Sequence, residues 1–242
     1  MANTPKGRRT EAAFLDAARK VFAEKGYFNT KISDIADAAG RSAGSFYNYY
    51  DNKEELLEAL LGQFSSEVQG TTARLHHKGD PYENIVEAVR AYWAAYRKYL
   101  PEMIGVFQMS MTDPEYARKW RHNRAAGVRS IVDGIVRARS EGYDPGLDTE
   151  VLASALVSTL ESFCWVWMVG GGDEGVPAPD DETAIRTLAA IWYRTVFFNA
   201  PADDPADAPD HALDQAPDHA PDGGNGKQHP ARRVTASPAG LS

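Results

Sequence analysis

The stretch AAGRSAGSFYNYYDNKEEL, Ala38 to Leu56, decides how this chain is read. Ahead of it, Lys31 to Ala39 carries Ile32, Ile35, Ala36 and Ala39 at helical spacing, with Thr30 placed to cap the start and Gly40 to take the left-handed conformation that ends it. A sharp turn follows. Ser42 then caps a second short helix that begins Ala43, Gly44, Ser45, residues small enough for its backbone to approach base edges in a major groove. Phe46 and Tyr50, four apart, face a core, which leaves Tyr47, Asn48 and Tyr49 pointing outward, where aromatic and amide groups suit phosphates and bases. The pattern is a helix-turn-helix over residues 31–50, and it points to double-stranded DNA.

From about Arg8 to Val68 the sequence resembles the DNA-binding domain of the TetR family of transcriptional regulators. The likeness runs through Phe14, Ala17, Ala18 and Phe22, then Gly26 and Tyr27, Ile35 and Ala36, Ala39 and Gly40, and finally Gly44, Ser45, Phe46, Tyr47, Tyr50, Lys53 and Leu56. The resemblance implies that Thr30, Tyr47, Tyr49 and Lys53 touch phosphates, and that Ser42, Ala43, Gly44, Ser45 and Asn48 lie nearest the bases. Arg41 departs from the family pattern, which places a small apolar residue there; a solvent-facing Arg beside the turn adds a phosphate or base contact.

The formal charge of −8 and pI near 5.3 look wrong for a DNA binder until their distribution is considered. Residues 1–60 hold nine Lys/Arg and nine Asp/Glu, so the excess acid lies beyond them. DNA feels the local field. Lys6, Arg8 and Arg9 precede the expected first helix, and Lys31, Arg41 and Lys53 flank the reading elements, where neutralised phosphates release counterions.

Helix-start signals divide the rest. Asp51 with Glu54 forms a capping box for a helix through Leu56, Leu57, Leu60, Leu61 and Phe64 towards Val68. Asp80-Pro81 and Asp113-Pro114 each open another, Asp148 a further one, and Asp180 or Asp181 the last. No stretch alternates as a half-buried strand does, so the expected fold is all-α, with about nine helices. Residues 80–199 form a helical body. From 200 to 242 the composition turns to Pro, Ala, Asp and Gly, with too little apolar content to offset the entropy of ordering, and is read as a disordered tail.

Two apolar stripes lie late in the body: Leu152, Leu156, Leu160, Phe163 and Trp167 on one helix, and Ile185, Leu188, Trp192 and Val196 on the next. The resemblance implies a four-helix homodimer interface built from them, with Leu156, Leu160, Leu188, Trp192 and Val196 at its centre. Such a dimer presents two reading helices about 34–36 Å apart, hence a near-palindromic operator. The central helices also carry an unusual load of aromatics and Met. Trp93, Tyr96, Met103, Phe107 and Trp120, approached by Phe163 and Trp167, suit either a plain core or a pocket lining, and the resemblance implies a pocket for a small hydrophobic or amphipathic effector. Arg97, Gln108, His122, Asn123 and Glu161 are its candidate polar partners.

Other classes fit poorly. The sequence has no Gly-rich phosphate loop, no His/Cys cluster with metal spacing and no nucleophile motif, so no catalytic residue, metal ligand or cofactor is assigned. His76 and His77 fall in an interhelical loop, and His211, His219 and His229 match no defined metal site. Lone Cys164 excludes a disulfide within one chain and suits a reducing cytoplasm. The apolar window from Leu152 to Val169 is broken by Ser154, Ser158, Thr159, Glu161 and Ser162, which argues against a membrane span. The expected function is a DNA-binding transcriptional regulator, a repressor released by its effector; a ligand-independent DNA binder and an activator are the alternatives.

Overall fold

The computed structural model describes residues 4–75 and 79–199; the expectations for His76, His77 and the tail from 200 to 242 lie outside the described residues. Among those described, nine helices and no strand are present: α1 (Pro5–Lys25), α2 (Ile32–Ala38), α3 (Ala43–Phe46), α4 (Lys53–Leu75), α5 (Pro81–Lys98), α6 (Leu100–Thr112), α7 (Pro114–Ser140), α8 (Thr149–Met168) and α9 (Asp181–Val196). The all-α expectation is met.

Aspartate caps set four of the nine starts. Carboxylate oxygens of Asp80, Asp113, Asp148 and Asp180 accept from the backbone N–H groups of Tyr82, Glu115, Val151 and Thr183 at 2.7–2.9 Å, each filling a donor that the first turn leaves open. Three starts differ from expectation. Lys31, not Thr30, is the N-cap of α2, and the Asp34 carboxylate reaches back to its N–H at 2.9 Å. In α4 the cap is Asn52, whose Oδ1 accepts from Glu55 N–H, while Glu55 reaches back to the N–H of Asp51. α1 begins at Pro5 with Thr4 as cap, so Lys6, Arg8 and Arg9 lie inside its first turns and do not precede them.

A hydrophobic core runs from Phe14 of α1 to Leu188 of α9, and a second, of Ile131, Ile135, Leu152, Leu156, Val157 and Val196, joins α7, α8 and α9. Trp192 packs against both. Within the body, α5 lies between α4 and α9, and α7 packs on α8.

The joint between residues 8–68 and the body is polar as well as apolar. Glu102 of α6 is 1% exposed, and its carboxylate meets Arg19 Nε of α1 at 3.3 Å. The Arg19 guanidinium lies 4.6 Å from the Tyr99 ring centre and also donates to Gln63 of α4. Gly105 of α6 gives Tyr27 its room, because a Cβ there would sit 2.9 Å from the Tyr27 Cβ.

Candidate nucleic-acid interface and ligand cavity

Buried rings hold the reading head. Phe46 is edge-on to Phe14 at 5.5 Å and tilted against Tyr50 at 5.7 Å, so the end of α3 is clamped to α1 from beneath. Gly40, at φ +62°, supplies the left-handed residue that ends α2, and Ser42 Oγ accepts from Ser45 N–H at 3.2 Å to start α3. The outward side is then Arg41, Ser42, Ala43, Gly44, Tyr47 and Asn48, all exposed, with Tyr47 at 56%. Ser45 is half-buried. A Cβ on Gly44 would meet nothing nearer than Ser42 Oγ at 4.0 Å, so no internal packing demands glycine there.

Three of the expected DNA contacts are placed differently. Thr30 is only 3% exposed, and its hydroxyl donates to the carbonyl of Gly26 at 2.8 Å; it stabilises the α1–α2 turn and presents no group to a phosphate. Tyr49 is half-buried with its ring 5.8 Å from that of Phe14. Lys53 donates to the carbonyls of Tyr27 at 2.7 Å and Thr30 at 3.0 Å, and its ammonium lies 4.2 Å from the Tyr27 ring centre. Desolvation lowers its pKa. Two of its three donors thus tie the start of α4 to the turn before α2, a role that the sequence does not reveal because the partners are backbone carbonyls.

At the start of α1, Lys6, Arg8 and Arg9 are exposed, and no acidic residue occupies the first turn. Cations there oppose the helix dipole, which already makes that end positive. The cost to the helix becomes an asset only beside an anion.

In the body the expected pocket residues divide. Trp93, Tyr96 and Met103 are buried in the core and line neither lobe of the cavity described below; Trp93 Nε1 donates to Asp181 at 3.1 Å, and Tyr96 and Met103 have no exposed surface. The Phe107 ring lies tilted against those of Trp120 and Trp165. Phe163 and Trp167 edge a shallow hollow on the outer face of α8. Trp120 alone of the seven lines the main cavity. Among the polar candidates, Asn123 and Glu161 do so too, whereas Arg97 is paired with Asp181 and Gln108 and His122 are exposed.

That cavity has two adjoining lobes sharing Ala88, Ser130, Ile131 and Trp192 as wall. The inner lobe, about 120 Å³, is formed by Phe64, Val68, Tyr92, Trp120, Val157 and Leu160, with Asn123, Arg124 and Glu161 as its polar groups. The outer lobe, about 370 Å³, lies between the starts of α5 and the ends of α7 and α9, with Asn84, Arg137 and Glu141 at its polar edge. Gly127 and Gly134 of α7 each line one lobe, and a Cβ on either would meet nothing within 4 Å. Arg124 Nε donates to Glu161 at 2.8 Å, and its Nη2 to Ser158 Oγ at 2.7 Å and the Ser154 carbonyl at 3.2 Å. Burial raises the Glu161 pKa, and Arg124 opposes that. The same burial pushes the Cys164 thiol up to about 12, so it is an inert core group. The walls come from α4, α5, α7, α8 and α9 together, which no local pattern joins; the two glycines seven apart on α7 are the signal that sequence offers.

The stripes expected at a dimer interface also face inward. Leu156, Leu160, Leu188 and Val196 are buried within the one chain, and Trp192 walls the cavity. Amphipathicity identifies a buried face without saying whose core it joins. The outer faces of α8 and α9 instead expose Val151, Ala155 and Ile191. By length and composition α8 is apolar enough to cross a membrane, and a third of its most apolar window is buried in this chain.

Residues 14–60 match the family described as bacterial regulatory proteins, tetR family. The HTH-type transcriptional repressor AcnR of Corynebacterium efficiens is 26% identical over 182 residues, covering 71% of this chain and 90% of that protein. The HTH-type transcriptional repressor KstR2 of Rhodococcus jostii is 45% identical over 64 residues, 26% of this chain and 30% of its own. A TetR-family regulator structure from Syntrophomonas wolfei shares the fold, with a TM-score of 0.66 at 18% identity over 78% of this chain and 95% of that one.

Proposed function

We propose that this chain, which belongs to the TetR family of bacterial transcriptional regulators, is a repressor that binds a near-palindromic operator as a homodimer and is released by a small amphipathic molecule held in the body. One observation carries the allosteric part: α4 belongs to both sites. Its first residue, Lys53, holds the turn that leads into the reading head, and its middle, at Phe64 and Val68, walls the inner lobe. A ligand that binds better to the arrangement with displaced heads shifts the population away from the DNA-competent one through this helix. A coupling of about 1–3 kcal/mol weakens operator binding roughly 5- to 150-fold.

Supporting the DNA role is the exposed face Arg41 to Gly44 with Tyr47 and Asn48, backed by the cationic start of α1. Supporting the dimer is the partly covered α8. With Val151, Ala155 and Ile191 outward, the α8–α9 pair offers an apolar face that a second copy would bury, in place of the inward stripes read from sequence. The protein is a regulator and carries no assigned catalysis.

Footprinting of the purified protein across DNA from its own gene neighbourhood tests the reading. Protection of a palindrome, with binding that falls steeply as salt rises, is the expected result. Uniform coating without a footprint defeats it. A sedimentation measurement giving a monomer defeats the dimer.

A further inference from the structure

The charges of the cavity wall cancel. The inner lobe has one cation, Arg124, and one anion, Glu161, joined at 2.8 Å, and both are largely withdrawn from solvent. Arg124 Nη1 has no partner among the described residues, and neither have the Tyr92 hydroxyl and the Asn123 amide, which share that wall. The outer lobe repeats the balance more loosely, with Arg137 and Glu141 exposed at its edge. Gly127 lines the inner lobe and Gly134 the outer, and a Cβ on either would meet nothing within 4 Å.

Resting on the effector-release reading above, we propose that the ligand of this cavity is an uncharged amphiphile: an elongated apolar molecule ending in a hydroxyl, carbonyl or similar neutral hydrogen-bonding group. A neutral head takes the spare donors of Arg124 Nη1 and Asn123 and leaves the Arg124–Glu161 pair intact. An ionised carboxylate would make a second anion beside one cation in an apolar site, and an ammonium a second cation, and a buried charge without its own partner is costly. Burial already raises the Glu161 pKa, so the site resists further negative charge. Arg124 and Glu161 are thus specificity-determining residues, and their pairing selects against charge.

The test compares three probes of equal chain length, 1-decanol, decanoate and decylammonium, by titration calorimetry with the full chain at neutral pH. The expected ranking puts 1-decanol first by at least about ten-fold, equivalent to about 1.4 kcal/mol. Glu161→Gln frees the Arg124 charge and should raise decanoate affinity by about ten-fold while leaving 1-decanol nearly unchanged. Because that variant unpairs a buried cation, Arg124→Leu with Glu161→Leu is the companion: it keeps the lobe neutral and should still reject decanoate. Equal or tighter binding of decanoate or decylammonium by the unaltered chain overturns the inference and leaves the effector reading standing. So does a double variant that takes decanoate as well as 1-decanol. If none of the three binds, effector release itself fails, and the inference with it.

Discussion

In the head, Phe14, Ile35, Phe46, Leu56 and Leu57 have no accessible surface, and Phe46, the ring that α3 carries, meets the rings of Phe14 and Tyr50. In the body, α7 carries Gly127 and Gly134 beside open volume, and Trp192 stands between two lobes of a cavity. The same helical chemistry thus gives a filled unit and a hollow one. A reading head must hold a few side chains in one geometry against DNA, and dense packing does that. A sensor must keep vacant a volume that its own side chains could fill, and it forgoes packing energy to do so.

The largest expected effect breaks or upholds that contrast directly. Phe46→Ala removes a ring from the filled unit and should cost about 3–5 kcal/mol, with loss of DNA binding as α3 comes loose. Val68→Ala, at the cavity wall, should cost about 1 kcal/mol or less, since its neighbours lose little that they had. Urea unfolding of both variants measures the difference. Similar costs would mean that the body is packed as the head is.

Next is the joint between the two. Arg19→Met leaves Glu102 without its cation in an interior site and should cost about 3–5 kcal/mol at pH 7. Burial raises Glu102 above its ordinary value of 4.5, so the folded chain holds that proton more tightly than the unfolded chain. Stability from this group is therefore full below about pH 4.5 and is lost as pH rises through the shifted value. The Arg19→Met deficit should shrink as pH falls towards 5, and Glu102→Gln in the same background should erase that pH dependence. A deficit that stays constant from pH 5 to 8 rules out the carboxylate as its source.

Lys53 and Arg41 sharpen the comparison inside the head. Lys53→Ala strands two carbonyls, at Tyr27 and Thr30, and should cost about 1–3 kcal/mol. Arg41 is exposed, and its guanidinium donates to the adjacent Gly40 carbonyl at 3.3 Å, so Arg41→Ala should leave stability within about 0.5 kcal/mol. The salt slope of DNA binding should then fall by about one unit for Arg41→Ala and by less for Lys53→Ala. The reverse order would return Lys53 to the phosphates.

The contrast also explains which parts were legible in the sequence. Caps, the left-handed Gly40 and the four-residue spacing of Phe46 and Tyr50 are local signals, and they placed the helices and the reading face. The intrachain partners of Thr30 and Lys53 were not legible, because they are backbone carbonyls, which carry no residue identity. Periodicity found the buried faces of α8 and α9, and the resemblance assigned them to a dimer interface, whereas they pack within this chain. The cavity escaped most fully. A collection of large side chains, Trp93, Tyr96 and Met103 among them, reads as a pocket, yet large side chains fill space, and what makes a pocket is their absence along Ser130, Ile131 and Gly134.

The smallest effects come from glycine, and their signs are the finest test of filled against hollow. At Gly105, where α6 meets the head, a Cβ would lie 2.9 Å from the Cβ and 3.0 Å from the Cγ of Tyr27, so Gly105→Ala must push the aromatic and should destabilise by about 1–3 kcal/mol. At Gly134 the same added carbon meets nothing within 4 Å, and φ is not in the left-handed region. An alanine there gains helix propensity and narrows the unfolded ensemble, so Gly134→Ala should stabilise by about 0.4–1 kcal/mol. Gly134→Leu fills the outer lobe, keeps the fold and should abolish binding of any effector without altering operator affinity. Thermal unfolding together with calorimetric titration measures both arms. If Gly134→Ala destabilises, a neighbour already occupies that space, and the hollow body is a solid one.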